Sequence, residues 1–206
     1  MVAPGKHIAF EGIDGSGKTS ISSKIYLSLK EQGIACHYTY EPTNTRIGSY
    51  IHLHFMKRDI SNPPLEALLY AADRVQHYEE EILGYLDRGH VTISDRYVHS
   101  SIAYQGALLG DSCWVAEINR MVPKPDLAIY LRIEPKVALA RKSKKNRTVY
   151  ERENFLRKVV EIYDRLAKSG ELVVVDASRS FDEVFKDVYS IAAKNLRRYP
   201  NIVTSP

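Results

Sequence analysis

Two cysteines are all that the 206 residues contain, and Cys36 and Cys113 stand far apart with no C-x-x-C spacing. That excludes a disulfide framework and a thiolate metal site, and leaves two thiols suited to a reducing cytoplasm. Long apolar runs are lacking too. No stretch approaches the roughly 20 apolar residues that cross a bilayer. The opening Met1-Val2-Ala3-Pro4-Gly5-Lys6 is not followed by an apolar run long enough for a signal peptide. Charge of one sign is scarce: 29 basic against 25 acidic side chains leave a formal net charge of +4. That is too mild to argue for a nucleic-acid or membrane partner, though it leaves room for a local basic pocket around a small polyanion. Internal repeats and low-complexity segments are absent.

What is present has ordinary globular composition, 44% hydrophobic and 26% charged, at a length suited to one domain over residues 1–206. The run His7-Ile8-Ala9-Phe10 breaks into glycines, and apolar spacing then predicts a helix over 18–32 that Gly33 stops. A β-rich run follows over 34–40, ended by Glu41-Pro42-Thr43-Asn44, and a helix over about 46–57 comes next. Ser61-Asn62-Pro63-Pro64 restarts the chain, and Leu65, Leu68, Leu69, Ala72 and Val75 recur at helical spacing within 65–87. Residues 91–94, 127–131 and 172–175 are further strand candidates. The last two are continuous apolar runs, as parallel strands covered on both faces should be. Strand and helix alternate about five times, which argues an α/β sandwich with a mostly parallel sheet. His52-Leu53-His54 has no third ligand in sight and reads as helix surface, not as a metal pair.

The chemistry starts at Gly12-Ile13-Asp14-Gly15-Ser16-Gly17-Lys18-Thr19, which matches G-x-x-x-x-G-K-[ST] at every fixed position. Glycines in this order let backbone N–H groups turn inward around anionic phosphates, and the helix that follows adds the positive end of its dipole. Lys18 can reach the β/γ oxygens of a nucleotide, and the Thr19 hydroxyl can hold Mg2+. The motif lies between a predicted strand and a predicted helix, its proper context. A P-loop alone gives only nucleotide binding. The Asn-Lys-x-Asp motif of signalling GTPases is missing, and mechanical or transporter ATPases bring larger chains, so the length fits a small phosphotransferase.

Four clusters resemble the thymidylate kinase family of nucleoside monophosphate kinases. They are the run Phe10-Glu11-Gly12-Ile13-Asp14-Gly15-Ser16-Gly17-Lys18-Thr19, the helical segment Ala72-Asp73-Arg74-Val75-Gln76-His77, the stretch Asp95-Arg96-Tyr97-Val98-His99-Ser100-Ser101-Ile102-Ala103-Tyr104-Gln105-Gly106, and Asp176-Ala177-Ser178-Arg179-Ser180. The third is similar to the family signature D-R-Y-x-x-S-x-x-A-Y-Q-G almost letter for letter, and the likeness runs in order from about residue 7 to about 190. The resemblance implies a P-loop NTPase fold, a three-layer α/β/α sandwich with a five-stranded parallel sheet and a lid at about 141–152. It also implies transfer of the γ-phosphate of ATP to dTMP with Mg2+, in a cytoplasmic homodimer joined through helices.

Physical reasoning agrees on several residues. Arg96 follows a strand end beside the P-loop, where a guanidinium can clamp the acceptor phosphate bidentately. Asp95 can hold Mg2+ through water or orient the attacking phosphate. The acceptor is already ionised, so no strong general base is required; positioning and charge carry the reaction. Tyr70 and Arg74, four apart, share one helix face. By the resemblance Tyr70 stacks on thymine, Arg74 donates to a thymine carbonyl, Gln105 reads the pyrimidine edge, and Tyr104 lies under the sugar. Ser100 and Tyr150 belong to the same dTMP site, and Asp14 holds the sugar 3′-hydroxyl or a metal-bound water. Ser178 and Arg179 form the adenine-side loop. Within the basic run Arg141-Lys142-Ser143-Lys144-Lys145-Asn146-Arg147, Arg147 would meet the transferring phosphate, with Arg141 or Lys142 nearer the adenine. Gly15 stands where some members of the family carry an arginine, and Thr43 where some carry another that grips the acceptor phosphate. Arg46, three residues on, or Arg96 alone then completes that shell. Two further readings stay open from sequence: a kinase of another pyrimidine monophosphate such as dUMP or UMP, and a nucleotide-binding regulatory module without catalysis.

Overall fold

Five short apolar segments pair into one sheet. In a computed structural model, which describes residues 4–56, 62–141, 152–199 and 202, they are β1 (Lys6–Glu11), β2 (Cys36–Tyr40), β3 (Val91–Asp95), β4 (Leu127–Arg132) and β5 (Val173–Asp176). Their order is β2-β3-β1-β4-β5 and every pairing is parallel. Two groups of helices flank them. One holds α1 (Lys18–Glu31) and α9 (Phe181–Asn195); the other holds α3 (Pro63–His77), α5 (Val98–Leu109), α6 (Ser112–Ile118) and α8 (Glu153–Lys168). Ile8, Phe10, Ile93, Ile129 and Leu131 are fully buried between them. The expected fold class is what the chain adopts. Among the described residues, no helix is long and apolar enough to cross a membrane.

Register positions the site. Phe10 pairs with Asp95 across β1 and β3, and Tyr40 pairs with Asp95 across β2 and β3. The strands therefore finish level, and their C-terminal ends open on one crevice. β1 lies between β3 and β4, where the strand order reverses, which is where open α/β sheets bind ligands.

Local chemistry explains most boundaries. Gly33, at φ 74°, ends α1 and returns its N–H to the Lys30 carbonyl at 3.0 Å. Asn62 Oδ1 accepts the Leu65 N–H at 3.3 Å, with Pro63 at the first position of α3, so the restart predicted at 61–64 is an N-cap. Two expected helices are broken where no break was predicted. The one over 46–57 is α2 (Arg46–Ile51) followed by a π-helical turn (His52–Met56). The one over 65–87 is α3, a π-helical turn (Tyr78–Ile82) and α4 (Leu83–Asp87). A continuous apolar stripe does not report a local change from i→i+4 to i→i+5 bonding. His54 stacks on Tyr50 with ring centres 4.0 Å apart, in keeping with its reading as helix surface.

A buried ion pair ties α3 to the end of β2. Arg74 donates to Glu41 Oε2 through Nε at 2.9 Å and Nη2 at 2.6 Å, and also to the Ser101 hydroxyl at 3.1 Å and to Asn119. His77 Nδ1 lies 3.1 Å from the other oxygen of Glu41 and its Nε2 lies 2.7 Å from Thr39 Oγ1. Burial raises the Glu41 carboxyl, but Arg74 and His77 outweigh it and hold the group below the usual carboxylate range. Removing one member of such a pair strands the other charge in the core. Glu41→Ala is expected to lower the unfolding free energy by about 3–5 kcal/mol in chemical denaturation; a loss below about 1 kcal/mol would mean that Arg74 finds other compensation.

Candidate active site

The loop from β1 into α1 takes a shape only its glycines allow. Gly12, Gly15 and Gly17 have φ of 139°, 85° and 91°, a region costly for any residue with a side chain. A Cβ on Gly12 would stand 2.7 Å from the Leu131 carbonyl oxygen, and one on Gly15 only 2.4 Å from that of Ala138 in α7 (Pro135–Ala140). An arginine at position 15, as in some members of the family, is therefore incompatible with this packing of α7. No side chain caps the start of α1, so its first N–H groups face the loop as an anion cradle. Ile13 and Ser16 are buried, and the Ser16 N–H returns to the Ile13 carbonyl at 3.1 Å.

Lys18 is buried; its Nζ donates to the Ile13 carbonyl at 3.0 Å and stands 4.0 Å from Asp14 Oδ1. Burial pulls it down to about 8. Arg96 reaches the same carboxylate from the other side through Nη2, while Nη1 donates to the Ser100 hydroxyl at 3.2 Å and the Gly12 carbonyl at 3.4 Å. Its guanidinium lies 5.1 Å over the Tyr104 ring, and the Tyr104 hydroxyl accepts the Asp14 N–H at 3.1 Å. Arg96 has a φ of 75°, a left-handed conformation that costs of order 1–3 kcal/mol in a residue with a Cβ. Its N–H, bonded to the Phe10 carbonyl at 2.9 Å, helps to hold it there. Asp14, Lys18, Thr19, Asp95 and Arg96 line one cavity of about 340 Å³.

The donor set fits Mg2+. Thr19 Oγ1 touches Asp95 Oδ2, while Asp95 Oδ1 is buried with no hydrogen-bond partner among the described residues. Among those residues no cluster of three His, Cys, Asp or Glu side chains has metal-binding geometry, and Mg2+ in phosphoryl-transfer sites typically takes only one or two protein oxygens beside phosphates and water.

The predicted acceptor residues gather between α3, α5 and α8. Tyr70 is half-buried on α3, its phenol raised by burial and by the Glu66 charge. The Gln105 amide nitrogen donates to Glu66 Oε1 at 2.9 Å. Arg74 is largely engaged by the protein itself, its Nε, Nη2 and one Nη1 direction meeting Glu41, Tyr97, Ser101 and Asn119. Thr43 is locked onto Asp73, its N–H donating at 2.9 Å and its hydroxyl at 2.6 Å. Arg46 is exposed and makes no hydrogen bond or ion pair among the described residues. On the other side, Arg141 donates to the carbonyls of Ala177 at 3.0 Å and Ser178 at 3.4 Å, which brings the predicted Arg141 and Ser178 together. Arg179 turns instead to Asp187 of α9. Lys142, Arg147 and Tyr150 lie outside the described residues.

Sequence reasoning assigned no role to Glu11, Glu66 and Asp73. Glu11 is fully buried and accepts the Tyr97 N–H at 3.0 Å, the Ser100 hydroxyl at 2.6 Å and the Tyr163 hydroxyl at 3.1 Å. The available signal was an acid as the last residue of a buried strand, next to the P-loop.

Fold and site together define a P-loop phosphotransferase, its phosphate cradle bordered by Asp95 and Arg96. The thymidylate kinase family profile matches residues 10–188. A probable thymidylate kinase of Staphylothermus marinus is 44% identical over 197 residues, covering 93% of this chain and 96% of its own. One of Pyrobaculum aerophilum is 42% identical, covering 92% and 97%. A thymidylate kinase of Geobacillus thermodenitrificans is 36% identical, covering 93% and 91%. The chain belongs to the thymidylate kinase family. It is an ATP-dependent nucleoside monophosphate kinase that transfers the γ-phosphate of ATP to dTMP.

Burial pushes Glu11 from the usual 4.5 up to about 7, against the pull of the Ser100 hydroxyl and the Arg96 charge. An acid raised in the folded state loses stability as pH climbs from its unfolded to its folded value. The melting temperature of the wild type, relative to Glu11→Gln, is expected to fall by several degrees between pH 4.5 and 7 and then level off. A pH-independent gap would show that the carboxyl is not held up.

Proposed function

We propose that this chain divides the transfer between two cations and one metal-binding edge. Lys18 and the P-loop residues Gly12, Ile13, Gly15, Ser16 and Gly17 hold the β- and γ-phosphates of ATP, and Arg96 clamps the phosphate of dTMP. The observation that carries this is the convergence of Lys18 and Arg96 on one carboxylate, Asp14, within a single cavity. Two anions must meet for the reaction to occur, and fixed guanidinium and ammonium groups lower that repulsion without reorganising. Thr19 and Asp95 would hold Mg2+, which neutralises charge developing on the bridging phosphate oxygens. Asp95 stays beside the cradle because β1 and β3 end level. Since the acceptor oxygen is already ionised, no proton has to be removed before attack.

On the acceptor side, Tyr70 stacks on the base, Gln105 meets its edge, Tyr104 supports the sugar and Asp14 takes the 3′-hydroxyl. Ser100 holds Arg96, and Arg46 adds a second, exposed charge that Thr43, tied to Asp73, does not supply. Arg141 and Ser178 border the adenine. The whole of 1–206 works as one domain with its lid over about 141–152, where Arg147 would complete the charge on the transferring phosphate. The enzyme works in the cytoplasm, in keeping with two free thiols. Leu53, Leu65 and Leu68, all exposed along neighbouring helical segments, fit a homodimer joined through helices. Light scattering is expected to give a dimer that Leu68→Glu splits; a monomeric wild type would overturn that assembly.

An ADP-release assay with Mg·ATP is expected to rank dTMP first by kcat/KM. The thymine methyl should set dUMP about 10–200-fold lower. Arg96→Ala should cut kcat/KM for dTMP by about 10²–10³ with ATP affinity by calorimetry kept. Unchanged kinetics in that variant would remove Arg96 from the acceptor clamp.

A further inference from the structure

One buried phenol acts on Arg96 without lining the cavity. Tyr163, on α8, is fully buried, and its ring stacks on Tyr130 of β4 with centres 4.8 Å apart. Its hydroxyl comes to the end of β1 and the first turn of α5. There it lies 3.1 Å from Glu11 Oε2 and 3.1 Å from Ser100 Oγ, and those two atoms are 2.6 Å apart. Oxygens of three buried residues thus form a closed triangle, and Arg96 Nη1 reaches its Ser100 corner at 3.2 Å.

A guanidinium only donates, and a serine hydroxyl has one proton and two lone pairs. Ser100 can accept from Arg96 only while its own proton points elsewhere. Glu11 Oε1 already accepts the Tyr97 N–H at 3.0 Å, so a proton taken up by this acid sits on Oε2, inside the triangle. With Glu11 ionised, Ser100 and Tyr163 both donate to Oε2. With Glu11 protonated, three protons run head to tail, from Oε2 to Ser100, from Ser100 to Tyr163 and from Tyr163 back to Oε2. Either way a lone pair of Ser100 stays turned to Arg96. Without the phenol oxygen the protonated state fails, because Oε2–H and the Ser100 O–H compete for a single edge. The carboxylic acid is the stronger donor and takes that edge, which turns the Ser100 proton toward Arg96 and sets two donors against each other.

Burial pushes Glu11 up to about 7, so both of its states are reached near neutral pH. The charges of Arg96 and Arg74 face it as well. His99 Nδ1 stands 3.8 Å from Glu11 Oε1, with Glu171 and its partner Lys124 on the far side of the ring. Burial pulls His99 down to about 4 and lifts the Tyr163 phenol well above its usual range, so neither changes charge near neutrality. Lys18, pulled down by burial to about 8, also feels Glu11.

We propose that Tyr163 is a positioning residue that keeps the Ser100 hydroxyl turned to Arg96 whether or not Glu11 carries a proton, and so makes the acceptor clamp insensitive to that proton. The inference rests on the reading that Arg96 clamps the dTMP phosphate, and the test separates the two. Steady-state kcat/KM for dTMP is measured in the wild type and Tyr163→Phe from about pH 6 to about pH 8.5. Dividing variant by wild type at each pH cancels the titration of Lys18 and of the substrate. That quotient is expected to be about tenfold lower at the acid end than at the alkaline end, with KM for ATP within about twofold of wild type. A phenol that only packs would lower activity equally at every pH, and a flat quotient overturns the role of Tyr163. Glu11→Gln gives a second reading that needs no titration. Its amide keeps oxygen toward the Tyr97 N–H, so a permanent donor faces Ser100. Adding Tyr163→Phe is expected to cost about tenfold more in that background than in the wild type at the alkaline end; equal costs overturn the inference. Unchanged dTMP kinetics in Arg96→Ala remove the clamp and the inference with it, whereas a crippled Arg96→Ala beside a flat quotient removes Tyr163 alone.

Discussion

The Glu11 carboxylate binds three parts of the molecule at the point where chemistry is to occur. It ends β1, accepts the Tyr97 N–H just past β3, the Ser100 hydroxyl of α5 and the Tyr163 hydroxyl of α8. Arg96 lies between these anchors, with its N–H on Phe10 and its side chain on Ser100. A left-handed arginine persists only where its neighbours over-determine it, and Glu11 fastens Tyr97 and Ser100, which follow it. The ordering of Arg96, the acceptor clamp we propose, is thus carried from the core by a buried acid that need not touch either substrate.

Charge balance explains why the rest of the site is built as it is. Around the cavity Lys18 and Arg96 face Asp14 and Asp95, so the protein's own groups cancel there. ATP and dTMP bring several further negative charges. Mg2+, which we propose Thr19 and Asp95 would hold, would bring two positive ones, and the other obvious reserve in the sequence is the basic run from Arg141 to Arg147. On the proposed reading, the site gains its excess positive charge only when its metal binds, which favours transfer to dTMP over hydrolysis.

How much of this the sequence disclosed follows from the range of each interaction. The P-loop, the five strands and the Asp95 to Gly106 stretch were legible because each is a local pattern with a local cause. Lys18, Thr19, Asp95 and Arg96 meet as predicted once Phe10 pairs with Asp95. Partnerships across the chain were not legible. Glu11 and Tyr163 are 152 residues apart, and nothing near either announces the other. Arg74 was read as a pocket donor because its helix face was right, yet Glu41, 33 residues earlier, holds most of its N–H groups. Glu66 shares the face of Tyr70 at i,i+4, a spacing already in use for Tyr70 and Arg74. The loop holding Thr43 follows from Asp73, whose pull on a distant N–H leaves no trace in periodicity.

Gly15 shows what an absent side chain can do. Its open position lets the Ala138 carbonyl come to 2.4 Å from where a Cβ would be, so α7 rests directly on the phosphate loop. α7 ends at Ala140, and Arg141 immediately turns to the Ala177 and Ser178 carbonyls beyond β5. An arginine at position 15 would bring positive charge to the phosphates from within the loop, but it would push α7 away.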